Sequence, residues 1–353
     1  MTRPLLQAYP ALAAALPMIE LAELPTPLER AADAEGGFCA GELWIKRDDL
    51  SGERYGGNKV RKLEFLLADA QARGCDAVLT YGAVGSNHAL ATAIYAHQLG
   101  LKCYAVLTPQ PPTAKVARTL RYQMQLGTRL HSAANLQEIR KVTDEILDDH
   151  PTGKERVYQI PFGGSSWLGT VGFVNAALEL AAQMGDRPPP DFVYAATGTM
   201  GTTIGLAIGF RLLGWPTKVM GVRVVPQPIM TPEYFESLWQ ETSEELSARD
   251  ASIPILVNPF DNVVGRDGFL GEGYAIPTEA TREAVRLADA LIGIELETTY
   301  TGKAMAALIH DGRTGDLANR RTVFWQTYNS RPYPDLGSVA TELEPELEAY
   351  LGD

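Results

Sequence analysis

Short apolar runs alternate with helical segments along most of this chain, and that alternation restricts the fold more than any other feature. Residues 77–81 read as a buried strand, and 87–99 as a helix ended by Gly100. Residues 103–107 read as the next strand, 113–126 as a helix stopped by Gly127, and 136–147 as a further helix. A strand that returns through a helical crossover lies parallel to its predecessor, so this grammar implies a mostly parallel sheet. The Pro188-Pro189-Pro190 break is followed by the same pattern. Strands are expected at 192–196, 219–225 and 323–326, and helices at 203–213 and 278–291. No internal repeat or low-complexity tract interrupts it. The expectation is an α/β protein of two lobes, each with a mostly parallel sheet flanked by helices. Its large domain would comprise residues 1–62 and 178–353, and its small domain 63–177. Ligands of such folds sit in clefts at the carboxyl ends of strands, here between the lobes.

The composition narrows the partners. Apolar residues make up 45% and charged residues 21% of 353 residues, an ordinary soluble balance. The net charge of -12 argues against nucleic acid or an anionic membrane, but leaves room for a local basic pocket. Cys39, Cys75 and Cys103 form no CxxC, which argues against disulfide scaffolds and zinc sites and suits a reducing, cytoplasmic setting. His88, His97, His131, His150 and His310 show no metal-binding spacing, so no metal is expected. Arg3, early prolines, Glu20 and Glu23 do not read as a signal peptide, and no apolar run is long enough to span a bilayer.

Four stretches carry possible chemistry. In Tyr55-Gly56-Gly57-Asn58-Lys59-Val60-Arg61-Lys62-Leu63-Glu64 a lysine follows a glycine turn and opens an amphipathic helix with Leu63, Leu66, Leu67 and Ala70 on one face. The positive helix end and the neighbours Arg61 and Lys62 both disfavour an ammonium at Lys59, and a neutral amine is what Schiff-base chemistry needs. An ordinary basic first turn would have the same spacing. Residues 80–89 end a strand, turn through Gly82 and Gly85, and start a helix at Ser86-Asn87-His88. That start suits a carboxylate, or simple N-capping. Residues 197–205, Thr-Gly-Thr-Met-Gly-Thr-Thr-Ile-Gly, join a strand to a helix with the makings of an anion nest. Their spacing matches neither GxGxxG nor GxxxxGK[ST], so a small phosphate monoester fits better than a dinucleotide or nucleoside triphosphate. Residues 297–305 place Tyr300 beside Thr301 at a turn, which suits acid/base work or a core tyrosine beside a helix cap.

Taken in order, together with Leu24-Pro25-Thr26-Pro27-Leu28 and Lys46-Arg47-Asp48-Asp49-Leu50, these stretches resemble the fold-type-II (tryptophan-synthase-β-like) pyridoxal-phosphate enzymes. More narrowly they are similar to D-cysteine desulfhydrase and 1-aminocyclopropane-1-carboxylate deaminase. The resemblance implies pyridoxal 5'-phosphate as cofactor, a small amino acid as substrate and a homodimer. By it Lys59 is the Schiff-base lysine. Lys62 would meet the phosphate together with Gly198, Thr199, Met200, Gly201 and Thr202. Asn87 would bond the pyridoxal 3-hydroxyl, Ser86, Asn87, His88 and Ser165 would line the substrate site, and Ser86 could relay a proton. Tyr274 and Tyr300 match two active-site tyrosines, and Thr301 would face the pyridine nitrogen.

The deaminase subgroup carries a glutamate where Thr301 stands. A neutral threonine leaves the ring nitrogen largely unprotonated and the ring a weaker electron sink, which favours expulsion of a thiolate over opening of a cyclopropane. The expected reaction is therefore β-elimination from D-cysteine to pyruvate, ammonia and hydrogen sulfide. Related deaminases, a sulfonate-releasing lyase and a racemase are alternatives, as is a catalytically silent ligand-binding relative. Three departures from the family pattern bear on the substrate: Gly163-Gly164-Ser165-Ser166 before Trp167, Thr327-Tyr328-Asn329-Ser330-Arg331-Pro332, and extra length around residues 228–255. An inward Arg331 would pair with a second anionic group on the substrate; an exposed loop arginine is the alternative.

Overall fold

The computed structural model describes residues 3–34, 41–148, 156–226, 229, 231–333 and 343–351, so that Cys39, His150 and Pro228 lie outside the described residues. The chain divides into two compact units. The first comprises residues 1–16, 22–62 and 165–331, the second 17–21, 63–164 and 332–353. In this division the helix Trp167–Met184 lies whole in the first unit instead of being cut at 177, since it packs along its length on the helix Gly201–Leu212. Residues 332–353 join the second unit, where Leu347 shares a core with Val84, Ala89 and Leu120.

Ten strands form the two sheets: β1 (Leu28–Arg30), β2 (Glu42–Lys46), β3 (Ala77–Ala83), β4 (Lys102–Thr108), β5 (Arg129–Ser132), β6 (Val157–Gln159), β7 (Phe192–Thr197), β8 (Lys218–Arg223), β9 (Val263–Arg266) and β10 (Arg321–Trp325). The first unit holds the order β1-β2-β10-β7-β8-β9, in which only the β1–β2 pair is antiparallel. The second holds β5-β4-β3-β6, all parallel. This is the expected pair of parallel-sheet α/β lobes. Val193, Tyr194 and Ala195 of β7 are fully buried, as a parallel strand covered on both faces requires. Four of the strands the sequence reading did not predict, β1, β5, β6 and β9, are the sheet edges. Such short, half-exposed strands need no continuous apolar run.

Two close approaches place the elements that matter in the first unit. A methyl group at Gly205 would lie 2.5 Å from Phe173 Cβ, and one at Gly209 would overlap Ala177. Only glycine at those positions lets the helix Gly201–Leu212 lie this near the helix Trp167–Met184. On the same helix a side chain at Gly172 would overlap the Arg61 carbonyl. The turn that opens with Lys59 and the start of the helix at Gly201 are thus seated on one support.

Beside that support lies a buried ionic network. The Arg61 guanidinium donates to both oxygens of Asp48 at 2.8 and 2.7 Å and to both oxygens of Glu179 at 2.9 and 2.8 Å. Lys46 donates to Glu179 at 2.5 Å, and Trp325 Nε1 to Asp48 at 2.7 Å. Burial works against the charges here. Even so, Arg61 and Lys46 hold the Glu179 carboxyl down to about 2, and Asp48 and Glu179 push the Arg61 guanidinium up.

Candidate active site

Lys59 is the first residue of the helix Lys59–Ala72. Its turn is held through its own N–H groups: Asn58 N donates to the Thr327 carbonyl at 3.1 Å, and Gly56 N to the side-chain Oδ1 of Asn329 at 2.6 Å. Burial lowers the Lys59 ammonium to about 8. Arg61, expected to contribute by its charge, is instead committed to Asp48 and Glu179, so desolvation is what remains. Lys62 is 1% exposed, and its ammonium is pushed well down, first by burial and then by Lys59.

Around Lys62 the structure gathers a ring of donors. Lys62 Nζ lies 3.0 Å from Ser165 Oγ, which lies 2.8 Å from Thr199 Oγ1 and accepts from Gly201 N at 3.3 Å. A methyl group at Gly201 would sit 2.7 Å from Lys62 Nζ, 2.8 Å from Ser165 Oγ and 3.1 Å from Thr170 Oγ1. Thr170 Oγ1 is buried with no hydrogen-bond partner. Asn58 Nδ2 donates to Thr202 Oγ1 at 3.0 Å. Met200, the residue before the helix Gly201–Leu212, holds φ 65°, a left-handed conformation uncommon for a side chain of its size. That turn aims successive backbone N–H groups to one side at a helix N-terminus. An amine, several hydroxyls and backbone N–H groups, drawn together where only a glycine fits, make a cradle for a dianion.

A second constellation lies at the helix Thr301–Thr314, whose N-cap is Tyr300. Tyr300 OH and Tyr274 OH are 2.8 Å apart, with the rings edge-to-face at 81°. Burial raises Tyr274 to about 12, the Tyr300 bond opposing and Glu297 assisting. Tyr300 is pushed well above its ordinary value by burial, Tyr274 and Glu297. Lys59, Tyr274 and Tyr300 keep part of their surface accessible while lying deep among protein atoms, and it is that depth that keeps bulk water from solvating their charge. The two constellations touch: a methyl group at Gly198 would meet Tyr300 Cε1 at 3.5 Å. The Thr301 hydroxyl accepts from Glu297 N at 3.0 Å, and the Glu297 carboxylate takes the N–H groups of Thr299, Tyr300 and Thr301 at 2.8, 2.6 and 2.9 Å.

The first unit therefore holds together Lys59, Lys62, Ser165, Gly198, Thr199, Met200, Gly201, Thr202, Tyr274, Tyr300 and Thr301. Ser165, expected against the substrate, has its hydroxyl in the Lys62 cluster. Ser86, Asn87 and His88 belong to the second unit, after β3. There Ser86 caps the helix Asn87–Gln98 by accepting from Ala89 N at 3.2 Å, and Asn87 Oδ1 is buried without a hydrogen-bond partner. Arg331 is held by Glu23 and by the carbonyls of Gly52 and Leu50 at 3.1, 3.1 and 3.4 Å, a structural tether. Sequence reasoning passed over Thr170 and Asn58. Thr170 falls four residues after Ser166, where a helical turn returns it to the same side.

A family model described as pyridoxal-phosphate dependent enzyme matches residues 19–327. The chain belongs to that family. A crystal structure of an ACC deaminase homologue is 30% identical, with a TM-score of 0.79 over 93% of this chain and 95% of that one. Threonine deaminase isoform 2 from Solanum lycopersicum is 17% identical, with a TM-score of 0.62 over 94% and 86% of the two chains. A hydrogen sulfide-producing enzyme from Fusobacterium nucleatum is 15% identical, with a TM-score of 0.59 over 86% and 95%. These last two share the fold.

The residues present in this pyridoxal-phosphate enzyme fit its cofactor. The cradle at Gly201 has the donors that a phosphate monoester requires, and the orphaned Thr170 hydroxyl gives it an unfilled polar contact. A phosphate there would favour the ammonium of Lys62, which burial and Lys59 otherwise disfavour. Among the described residues no helix is long and apolar enough to cross a membrane, and no group of three His, Cys, Asp or Glu is placed to hold a metal ion.

Proposed function

We propose that this enzyme is a lyase that eliminates a β-substituent from a small amino acid and deaminates it, with D-cysteine as substrate. D-Cysteine and one water would give pyruvate, ammonia and hydrogen sulfide. The observation that carries this reading is the gathering in one unit of a buried lysine amine, a donor cluster around Lys62 and a pair of phenols 2.8 Å apart. An amine lowered to about 8 stands in the same unit as two phenols kept protonated across the neutral range. The cofactor supplies an electron sink when bound.

Lys59 would carry the cofactor and take the proton from the substrate Cα on its Nζ. Lys62, Ser165, Thr170 and Thr199 would hold the phosphate with Gly198, Met200, Gly201 and Thr202. Tyr300, backed by Tyr274, would manage the proton near the departing group. Ser86, Asn87 and His88 would recognise the substrate carboxylate and the cofactor hydroxyl. Thr301 supports elimination of a good leaving group over ring opening. Its hydroxyl accepts a backbone N–H, and the adjacent Glu297 carboxylate accepts three others. The Glu23 tether of Arg331 withdraws the candidate for a sulfonate.

Pyruvate and sulfide release from D-cysteine, against L-cysteine, D-serine, cysteate and 1-aminocyclopropane-1-carboxylate, tests the reading. The expected result is turnover of D-cysteine well above the rest. Silence on D-cysteine by cofactor-loaded protein, or turnover that survives Lys59→Ala, would overturn it.

A further inference from the structure

Lys303 is fully buried in the first turn of the helix Thr301–Thr314. Its Nζ donates to the carbonyl oxygens of Leu270 at 2.6 Å and Gly273 at 3.0 Å. Both carbonyls belong to the loop that runs into Tyr274, while the helix bearing Lys303 begins directly after Tyr300. A single side chain thereby ties the loop of one tyrosine to the helix of the other. That loop is not held by regular structure. Gly271 and Ala275 sit at φ 70° and 60°, and the left-handed conformation at Ala275 is unfavourable for a residue with a Cβ. On the other side Glu297 grips the backbone of residues 299–301 through three N–H bonds. The two tethers meet at the 2.8 Å contact between the phenols.

A buried ammonium is an expensive way to fill space, and methionine would fill the same volume without the desolvation cost. Burial indeed disfavours the Lys303 ammonium, with Glu297 opposing. What a lysine adds over methionine is two directed hydrogen bonds to the Leu270 and Gly273 carbonyls, the second of which also accepts from Ile276 N at 3.4 Å.

We propose that Lys303 is a positioning residue that holds the Tyr274 phenol against that of Tyr300 and so keeps the pair arranged for proton transfer. The proposal rests on the reading of that pair given above. Lys303 itself touches neither phenol oxygen.

The test uses Lys303→Met, Lys303→Gln, Tyr274→Phe and the double variant Tyr274→Phe/Lys303→Met, with melting curves to verify folding. The first readout is an alkaline ultraviolet titration of tyrosines in the cofactor-free protein. In the parent both phenols resist ionisation beyond the ordinary 10.0. Lys303→Met should release one of them to ionise near that value, and the added step should vanish in the double variant.

The second readout is turnover of the best substrate by the cofactor-loaded full chain. Lys303→Met should lower kcat by about tenfold with KM changed by less than about threefold, and Lys303→Gln should recover part of the loss. The double variant should be no slower than Tyr274→Phe alone, since coupled residues do not add. An unchanged tyrosine titration, or losses that multiply, would overturn the proposal. If Tyr274→Phe alone leaves kcat intact, the proton role of the pair falls, and the positioning role is then decided by the titration.

Discussion

Arg61 and Lys62 are adjacent at the start of one helix, and each is 1% exposed, yet their surroundings differ. Arg61 meets two carboxylates, Asp48 and Glu179, with four bonds between 2.7 and 2.9 Å. Its charge is held by partners built into the chain. Lys62 meets a serine hydroxyl at 3.0 Å and a neighbouring amine, Lys59, which opposes its charge. One region is electrostatically complete in the polypeptide. At the other, the ammonium meets a neutral hydroxyl and a like-charged amine, so an added anion would favour its charge. On the proposed reading, cofactor binding and fold stability fall to side chains one residue apart, and they should be separable by substitution.

The largest effect should come from Lys59→Ala, which removes the reactive amine and leaves the ionic network whole. Turnover is expected to fall by ~10^3-fold with little change in the urea midpoint. Arg61→Met should do the reverse in kind. It strands Asp48 and Glu179 in the interior, and urea unfolding should show a loss of about 3–5 kcal/mol. Lys62→Met should weaken cofactor affinity roughly 10- to 100-fold by equilibrium dialysis, the value of one charge-assisted bond. If Lys62→Met unfolded the protein instead, the contrast with Arg61 would be broken.

The smallest effect is a pH dependence. Lys59 has its folded-state value lowered to about 8 from 10.5, so between those values the unfolded chain binds more protons there. Stability of the cofactor-free protein should therefore rise with pH across that window, and less steeply in Lys59→Met. Capture of added cofactor should likewise accelerate as pH passes about 8, where the amine becomes neutral.

Much of this arrangement was legible beforehand because the signals were local. The strand-helix grammar marked β3, β4, β7, β8 and β10 through continuous apolar runs, and glycine turns marked residues 55–59 and 197–202. The edge strands β1, β5, β6 and β9 were not legible, being too short to show a period. Nor was the fate of Arg61. Its partners Asp48 and Glu179 lie 13 and 118 residues away, and nothing near Arg61 in sequence announces them. Ser165 was recognised as a site residue but expected at the substrate, because its meeting with Lys62 spans 103 positions. Lys303 stood within a stretch singled out for Tyr300, and its task depends on two carbonyls in a distant loop.

The glycine contacts at positions 172, 205 and 209 have a mechanical consequence. The helix Trp167–Met184 serves as a common datum for the Lys59 turn on one flank and the Gly201 helix start on the other. Because both fixtures rest on one helix, a displacement of that helix would shift amine and anion cradle together. A bulkier residue at Gly172 would push the Arg61 backbone off the datum, and both the gap between amine and cradle and the melting temperature would register the shift.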